Sequence, residues 1–209
     1  MSISPRVMVC FDLGGVLARI RRNWQSCVLA AGVESGIRQD ELYDLTDFPL
    51  FDAYQLGSVD TNQYLSELGS YLSTSNEKAQ AAHNAILDRP YEGTDAVVRD
   101  LIAAGHRTAC LSNTNSLHWT ILNSEAFPAI ADLGFKMVSH EMRLLKPEAT
   151  IFRLFDLKAE TPAERVVYFD DHEGNVLAAQ RHGWNAVMID PSGDTAAQMR
   201  DELKKMEVL

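Results

Sequence analysis

The chain has 209 residues, of which 46% are hydrophobic and 23% are charged, as in an ordinary globular domain. This composition excludes an intrinsically disordered chain, a collagen and a coiled coil. Lys and Arg total 19 against 29 Asp and Glu, so the formal charge is −10. The only dense basic cluster is Arg19, Arg21 and Arg22, and a phosphate backbone requires a larger basic face, so we expect no nucleic-acid partner.

The cysteines and the apolar runs indicate the compartment. Cys10, Cys27 and Cys110 are odd in number and have no CxxC spacing, so we expect neither a disulfide framework nor a zinc site. No apolar run reaches the length of a membrane span, and the first residues lack the apolar core of a signal peptide. We therefore expect a cytoplasmic protein with no membrane partner. We also expect a monomer or a weak homodimer.

Short continuous apolar runs predict strands that are buried on both faces of a parallel sheet. Such runs occur at 7–11, 108–111, 136–139, 166–169 and 186–189. Helical patterns at 94–104, from Pro147 onward and at 174–181 separate most of them. Strands that alternate with helices predict an α/β fold with a Rossmann-like, doubly wound sheet of five parallel strands.

A long segment after the first strand has helical rather than strand periodicity. Its helical patterns cover 24–31, 47–55, 61–72 and 77–87. A crossover between parallel strands needs only one helix, so several helices predict a small helical cap inserted after the first strand. We accordingly divide the chain into a core of 1–18 and 90–209 and a cap of 19–89.

Polar residues follow three of the predicted strands, at the edge where open parallel sheets bind their ligands. Asp12 follows the first strand, Ser112 and Asn113 the second, and Asp170 and Asp171 the fourth. Carboxylates crowded at this edge repel one another unless they share a cation. Carboxylate oxygens suit Mg²⁺, which commonly bridges to a substrate phosphate. The pattern therefore predicts a magnesium site and a phosphorylated substrate.

These segments resemble the ordered motifs of a known family. The matching stretches are FDLGG at 11–15, LSNTN at 111–115, Lys146-Pro147-Glu148, FDD at 169–171 and Asn175. In order and strand context they resemble the haloacid dehalogenase (HAD) superfamily over nearly the whole chain. The stretches LSNTNSLH, KPEATIF and FDDHEGN are more narrowly similar to the bacterial α-D-glucose-1-phosphate phosphatases. The resemblance implies a HAD core with an inserted cap.

The resemblance also implies catalytic and phosphate-binding roles. Asp12 would be the nucleophile that attacks phosphorus and forms an aspartyl phosphate. Ser112 and Asn113 would donate hydrogen bonds to the phosphoryl oxygens. Lys146 would pair with the phosphoryl group and with Asp12, which stabilises charge during transfer. These roles describe a phosphoric monoester hydrolase of EC 3.1.3 type whose substrate is a small sugar phosphate such as glucose 1-phosphate.

A Mg²⁺ cofactor follows from the same resemblance. Its ligands would be Asp12, the backbone carbonyl of Gly14, and Asp170, whereas Asp171 would hold the ion through a water molecule. Position 14 also departs from the usual pattern, because many phosphatases of the superfamily carry there a second aspartate that acts as the general acid. An anomeric oxygen leaves more easily than an ordinary alcohol oxygen, so a sugar 1-phosphate is consistent with glycine at this position.

Two questions stay open at the level of sequence. Histidines that could replace the missing acid are His118, His140 and His172, and none is preferred. Cap residues that could contact the substrate are Arg19, Arg21, Arg22, Trp24, Tyr54 and Gln55.

Two other functions also remain open. A 2-haloacid dehalogenase would use Asp12 to attack carbon without a metal, although the pair Asp170 and Asp171 argues against this chemistry. A regulatory module would bind a phosphometabolite at the same site and turn it over very little.

Overall fold

The structure, a computed structural model, describes residues 6–38 and 40–209. Its strands are β1 (Met8–Phe11), β2 (Ala18–Ile20), β3 (Leu87–Pro90), β4 (Arg107–Ser112), β5 (Phe135–Val138), β6 (Val166–Asp170) and β7 (Asn185–Met188). Five of them form a parallel sheet in the order β5-β4-β1-β6-β7, whereas β2 and β3 pair with each other in antiparallel fashion. The predicted five-stranded parallel sheet is confirmed.

Helices connect the strands. They are α1 (Trp24–Ala30), α2 (Phe51–Gln55), α3 (Thr61–Tyr71), α4 (Asn76–Asn84), α5 (Thr94–Ala103), α6 (Ser116–Leu122), α7 (Pro128–Ala131), α8 (Ser139–Met142), α9 (Ala149–Ala159), α10 (Glu173–His182) and α11 (Thr195–Lys205). Among the described residues, α1 to α4 lie between β2 and β3, and the others follow the strands of the parallel sheet. No described helix is long and apolar enough to span a membrane.

Three predicted helix bounds are wrong. The pattern at 77–87 runs too far, because the chain leaves α4 at Asn84 and pairs with β2 from Leu87 onward. The helix predicted from Pro147 begins at Ala149, since Glu148 still has an extended backbone. The pattern at 47–55 begins on the last residue of a short 3₁₀ turn, Leu45–Asp47, and its α-helix begins only at Phe51. In each case tertiary pairing or a local cap overrides periodicity.

The sheet is buried on both faces. Along β1, Val9 and Phe11 join the apolar cluster that includes residues of α5 and α11, whereas Met8 and Cys10 join the cluster on the opposite face with α9 and α10. Successive side chains of a strand point to opposite faces, so a continuous apolar run is required here. This two-sided packing is the doubly wound arrangement that the sequence predicts.

A third apolar cluster lies among α1 to α4. Trp24, Tyr64 and Leu68 are fully buried in it, and the rings of Tyr54 and Tyr64 stack at 4.0 Å between centroids. This cluster coincides with the helices that we predict as a cap. The division of the chain at 18/19 and 89/90 stays a prediction, since the two strands β2 and β3 extend across both of these positions.

Candidate active site

Three neighbouring strands bring the predicted polar residues to one edge of the sheet. Strand β1 lies between β4 and β6, with Phe11 in register with Cys110 and Phe169. Asp12 donates its backbone N–H to the carbonyl of Phe169 at 2.8 Å. Asp170 is the last residue of β6, so the two carboxylates begin from adjacent strands at the carboxyl edge.

Asp12, Asp170 and Asp171 form one acidic group, in which one oxygen of each carboxylate lies within 4.8 Å of the others. The side chain of Asp170 is fully buried, whereas that of Asp12 is 14% exposed. Oδ1 of Asp12 is buried and accepts no well-aligned hydrogen bond from the described residues, although the ammonium of Lys146 lies 3.0 Å from it as an ion-pair partner. Carboxylates held so close together away from water are stable only with compensating positive charge. The donor set therefore suits a cation.

Lys146 supplies part of that positive charge. Its Nζ atom lies 3.0 Å from Oδ1 of Asp12 and 2.7 Å from Oδ2 of Asp170, and its side chain is only 1% exposed. The ammonium also donates to the hydroxyl of Tyr168 at 2.8 Å, and that hydroxyl in turn donates to Asp170. The sequence does not predict Tyr168 as part of the site, because within VVYF it has the pattern of an ordinary buried strand residue.

Asn113 fixes the position of Lys146. Its side-chain Nδ2 donates to the Lys146 carbonyl at 3.0 Å, and its Oδ1 accepts from the Lys146 N–H at 2.9 Å. The amide that we expect to bind phosphate is thus occupied in part by the backbone of the lysine loop. Ser112 is 2% exposed and lines a cavity in front of Asp12 that Asn113 and Lys146 also line, and its hydroxyl is a competent donor.

The charges of Lys146 and Asp170 are well defined. Burial alone would raise the pKa of Asp170, but Lys146 and the hydrogen bonds from Tyr168 and His172 hold that pKa below its usual value. Asn175 adds two contacts from Nδ2, at 3.1 and 3.0 Å from the carboxylate oxygens. Burial also disfavours the charged Lys146, but Asp12 and Asp170 outweigh it and raise the pKa of the lysine. Both groups are therefore ionised at neutral pH.

Asp12 and Asp171 are less well compensated. Burial raises the pKa of Asp12 to about 7; Lys146 opposes this shift, and the other two carboxylates add to it. Burial likewise raises the pKa of Asp171, although the guanidinium of Arg22 forms an ion pair with this carboxylate. A bound cation would reverse both shifts, because it favours the charged form of each carboxyl group.

The glycines after Asp12 determine what fits beside the acidic group. Gly15 has φ +81°, and a Cβ at this position would overlap the carboxylate of Asp171. A Cβ on Gly14 would lie 3.1 Å from Cδ1 of Ile20, which is a tight contact. A side chain at position 14 would therefore require the end of the Ile20 side chain to move by a few tenths of an ångström.

The three histidines that could replace the missing general acid differ in their positions relative to the site. His118 and His172 line the cavity in front of Asp12, whereas His140 is not among the lining residues. His118 donates from Nε2 to the carbonyl of His83 at 2.9 Å and accepts at Nδ1 from Asn115 at 3.3 Å, a tautomer assigned from these partners. Burial lowers the pKa of His118 to about 4. With both ring nitrogens in use and no proton to give at neutral pH, His118 is structural.

The cavity is lined by residues at the carboxyl edge of the parallel sheet and by residues of the segment between β2 and β3. Its volume is about 390 Å³, within the usual range for small-molecule sites. Of the cap candidates, Arg22 and Gln55 line it. Trp24 and Tyr54 instead pack inside the cap cluster. Arg19 stacks on the ring of Tyr91, and Arg21 pairs with Asp88.

Sequence reasoning missed Asp52 and Thr114, which also line the cavity, because single polar residues in α2 and after β4 give no distinctive signal.

Comparison with solved structures supports the fold. A HAD family enzyme from Bacteroides thetaiotaomicron, solved as a mutant in complex with magnesium and inorganic phosphate, is 23% identical with a TM-score of 0.79 over 93% of this chain and 100% of that one. A predicted HAD-like hydrolase from Porphyromonas gingivalis is 21% identical with a TM-score of 0.78 over 96% and 99%. A 2-haloacid dehalogenase from Pseudomonas syringae is 16% identical with a TM-score of 0.59 over 96% and 99%.

The family follows from the sequence comparison. The family model of haloacid dehalogenase-like hydrolases matches residues 8–183, from the first strand to the end of α10. This range includes the acidic group, Ser112 and Lys146. The chain belongs to the haloacid dehalogenase-like hydrolases.

Proposed function

We propose that the protein is a Mg²⁺-dependent phosphatase that hydrolyses a small phosphorylated metabolite through an aspartyl phosphate. The observation that carries the proposal is the buried ammonium of Lys146 between Asp12 and Asp170, with Asp171 in the same acidic group. Lys146 and Arg22 together supply two positive charges for three carboxylates, and a divalent cation would balance the remaining negative charge and part of that of a substrate phosphate. A dehalogenase that attacks carbon without a metal gains nothing from such a group.

The acidic group fits Mg²⁺ by its chemistry. Its donors are carboxylate oxygens, which are hard ligands, and neither Cys nor His belongs to it among the described residues. Asp12, the backbone carbonyl of Gly14, and Asp170 would hold the ion directly, and Asp171 would hold it through a water molecule. When bound, Mg²⁺ would neutralise charge between the substrate phosphate and the attacking carboxylate.

The residues at the strand ends divide the work of phosphoryl transfer. The ionised carboxylate of Asp12 attacks phosphorus, the bond from phosphorus to the leaving oxygen breaks, and the leaving oxygen takes its proton from water because position 14 carries no acid. Ser112 and Asn113 donate hydrogen bonds to the phosphoryl oxygens, and Lys146 stabilises their negative charge. Water then cleaves the aspartyl phosphate, which releases inorganic phosphate and restores Asp12.

A sugar phosphate such as glucose 1-phosphate is the substrate that suits this site. Gly14 provides no general acid, and a Cβ at this position would be in tight contact with Ile20. Loss of general acid catalysis typically costs 10²–10⁴-fold in rate, unless the leaving group departs readily. An anomeric oxygen is such a leaving group. The proposed partner is therefore a small phosphorylated molecule rather than a macromolecule.

The test is phosphate release from a panel of phosphometabolites, with Mg²⁺ or with EDTA. We expect metal-dependent release by the wild type and none by Asp12→Asn, which removes the nucleophile and keeps its shape. Asp201→Asn, on an exposed part of α11, is the matched control and should keep full activity. Release of halide from 2-haloacids without metal would instead establish the dehalogenase. Metal-dependent binding of a phosphometabolite with no release would establish the regulatory module.

A further inference from the structure

The two adjacent carboxylates at the end of β6 are held in different ways. That of Asp170 accepts hydrogen bonds from four residues, namely Lys146, Tyr168, His172 and Asn175. That of Asp171 has one partner among the described residues, which is the guanidinium of Arg22. Arg22 lies outside the stretches that resemble the family motifs, yet the charge balance of Asp171 depends on it.

Arg22 reaches Asp171 from a fixed backbone. Its neighbour Arg21 pairs with Asp88 at 3.0 Å, and its other neighbour Asn23 caps the first turn of α1. The side chain of Arg22 is 55% exposed, but that of Asp171 is only 7% exposed. An ion pair between two exposed groups contributes little, whereas here one of the two charges is largely removed from water. The contact is therefore more than an ordinary surface ion pair.

The carboxylate of Asp171 is confined to the acidic group. A Cβ on Gly15 would overlap this carboxylate, so Asp171 lies directly against the loop that follows β1. One of its oxygens lies within 4.8 Å of an oxygen of Asp12 and of Asp170. Arg22 and a cation in the acidic group would therefore act on the same carboxylate.

The charges in and around the acidic group nearly cancel. Asp12, Asp170 and Asp171, when ionised, carry three negative charges, and Lys146 and Arg22 carry two positive charges. The net charge is therefore −1 without a metal and would become +1 with a divalent cation. Without the guanidinium the same group would have a charge of −2, and the cation would bring it to zero. The guanidinium thus opposes the cation and favours a phosphate dianion beside it.

We propose that Arg22 acts as a built-in competitor of the divalent cation, which lowers the affinity of the acidic group for the free ion and raises the affinity of the ion-loaded group for phosphate. The proposal rests on the proposed function and adds to it the residue that makes binding of the ion and binding of phosphate depend on each other. A unit positive charge within a few ångströms of a divalent ion changes its affinity by about tenfold, even in the dielectric of water.

The test is calorimetric titration of the wild type and of Arg22→Gln. Each protein is titrated with Mg²⁺ and then, saturated with Mg²⁺, with inorganic phosphate. A pH of about 8 lies above the pKa of about 7 of Asp12, so proton release contributes little to either titration. We expect Arg22→Gln to bind Mg²⁺ about tenfold more tightly and inorganic phosphate about tenfold more weakly. A variant that merely disturbs the fold would lose affinity for both ligands.

Two further variants separate the contact with Asp171 from overall charge. Arg22→Lys keeps the positive charge and should retain both affinities within about threefold. Arg89→Gln removes another exposed arginine, which pairs with Asp88 rather than with the acidic group, and should change neither affinity. Shifts like those of Arg22→Gln in either of these variants would overturn the proposal.

The outcomes distinguish this proposal from the proposed function. Equal affinities of the wild type and Arg22→Gln for Mg²⁺ would overturn the role of Arg22 and leave the metal site intact, and weaker binding by the variant would show that Arg22 supports the ion instead. Opposite shifts for Mg²⁺ and phosphate, without hydrolysis of any phosphometabolite, would establish the role of Arg22 and overturn the phosphatase function alone. No binding of Mg²⁺ by either protein would overturn both.

Discussion

The ammonium of Lys146 lies 2.7 Å from Oδ2 of Asp170, and their side chains are 1% and 0% exposed. Removal of one member of a buried ion pair typically costs about 3–5 kcal/mol, because the other charge is left without compensation. We therefore expect Lys146→Met to lower the free energy of unfolding by about that amount in the absence of metal, and to abolish phosphatase activity. Urea denaturation in EDTA measures the first effect.

Lys136→Met is the control for that experiment. Nζ of Lys136 also makes two contacts, at 2.7 Å to Asn123 and 2.8 Å to the carbonyl of Ala131, but it pairs with no carboxylate among the described residues. We expect a loss of less than about 1 kcal/mol from this variant. Equal losses from the two variants would show that the buried ion pair adds nothing beyond ordinary hydrogen bonds.

A second prediction concerns Gly15. Its φ of +81° penalises any other residue, and a Cβ would overlap the Asp171 carboxylate, so Gly15→Ala should displace that carboxylate. Gly32 has φ +63°, and a Cβ on it would meet nothing within 4 Å, so Gly32→Ala carries the backbone cost alone. We expect both variants to lose about 1 kcal/mol from the positive φ, and only Gly15→Ala to weaken Mg²⁺ binding. Calorimetric titration with Mg²⁺ compares them, and equal affinities would contradict a role for Asp171.

A third prediction is the dependence of stability on pH. The rings of His83 and His118 stack at 4.1 Å between centroids, and burial lowers both pKa values, that of His118 from 6.5 to about 4. Between these values the unfolded chain binds more protons than the folded one, so stability is present above pH 6.5 and is lost as pH falls toward 4. The shift of His118 alone corresponds to about 3 kcal/mol.

Urea denaturation at about pH 7 and about pH 5 measures this loss. His118→Gln removes the titrating ring, so its stability should fall less over the same interval, while the carboxyl groups contribute equally to both proteins. Identical slopes for the wild type and the variant would contradict the assignment of His118 as a buried neutral residue. They would also reopen its candidacy as a general acid.

The parts of the fold that the sequence predicts are those with strong local patterns. The apolar run of β1 ends abruptly at Asp12, so both the strand and the acidic residue after it are visible in the sequence. The pairing of β2 with β3 is not visible in the sequence, because Ala18 and Pro90 are far apart in the chain and the two strands are short. Such pairing depends on the packed tertiary structure rather than on any local preference.

The residues of the site also differ in whether the sequence alone predicts their roles. Asp12 and Asp170 follow from strand ends, whereas Lys146 follows only from the family resemblance, since a lone lysine before proline has no chemical signature. His118 is a candidate acid by residue type, and only its contacts with His83 and Asn115 identify it as structural. A hydrogen-bond network between residues distant in sequence cannot be inferred from composition or spacing.

The last prediction addresses the missing general acid. A Cβ on Gly14 would lie 3.1 Å from Cδ1 of Ile20, so Gly14→Asp alone requires the Ile20 side chain to move. The double variant Gly14→Asp with Ile20→Ala removes that obstacle, and Gly14 does not have the positive φ that would penalise a side chain. We expect the double variant to hydrolyse an ordinary alkyl phosphate at least about tenfold faster than the wild type, because a general acid can protonate the poor leaving group. Phosphate release from glycerol phosphate by the wild type, both single variants and the double variant measures this. An equal gain from Gly14→Asp alone would show that Ile20 is no obstacle, and no gain from any variant would show that a carboxyl group at position 14 cannot act as the acid in this site.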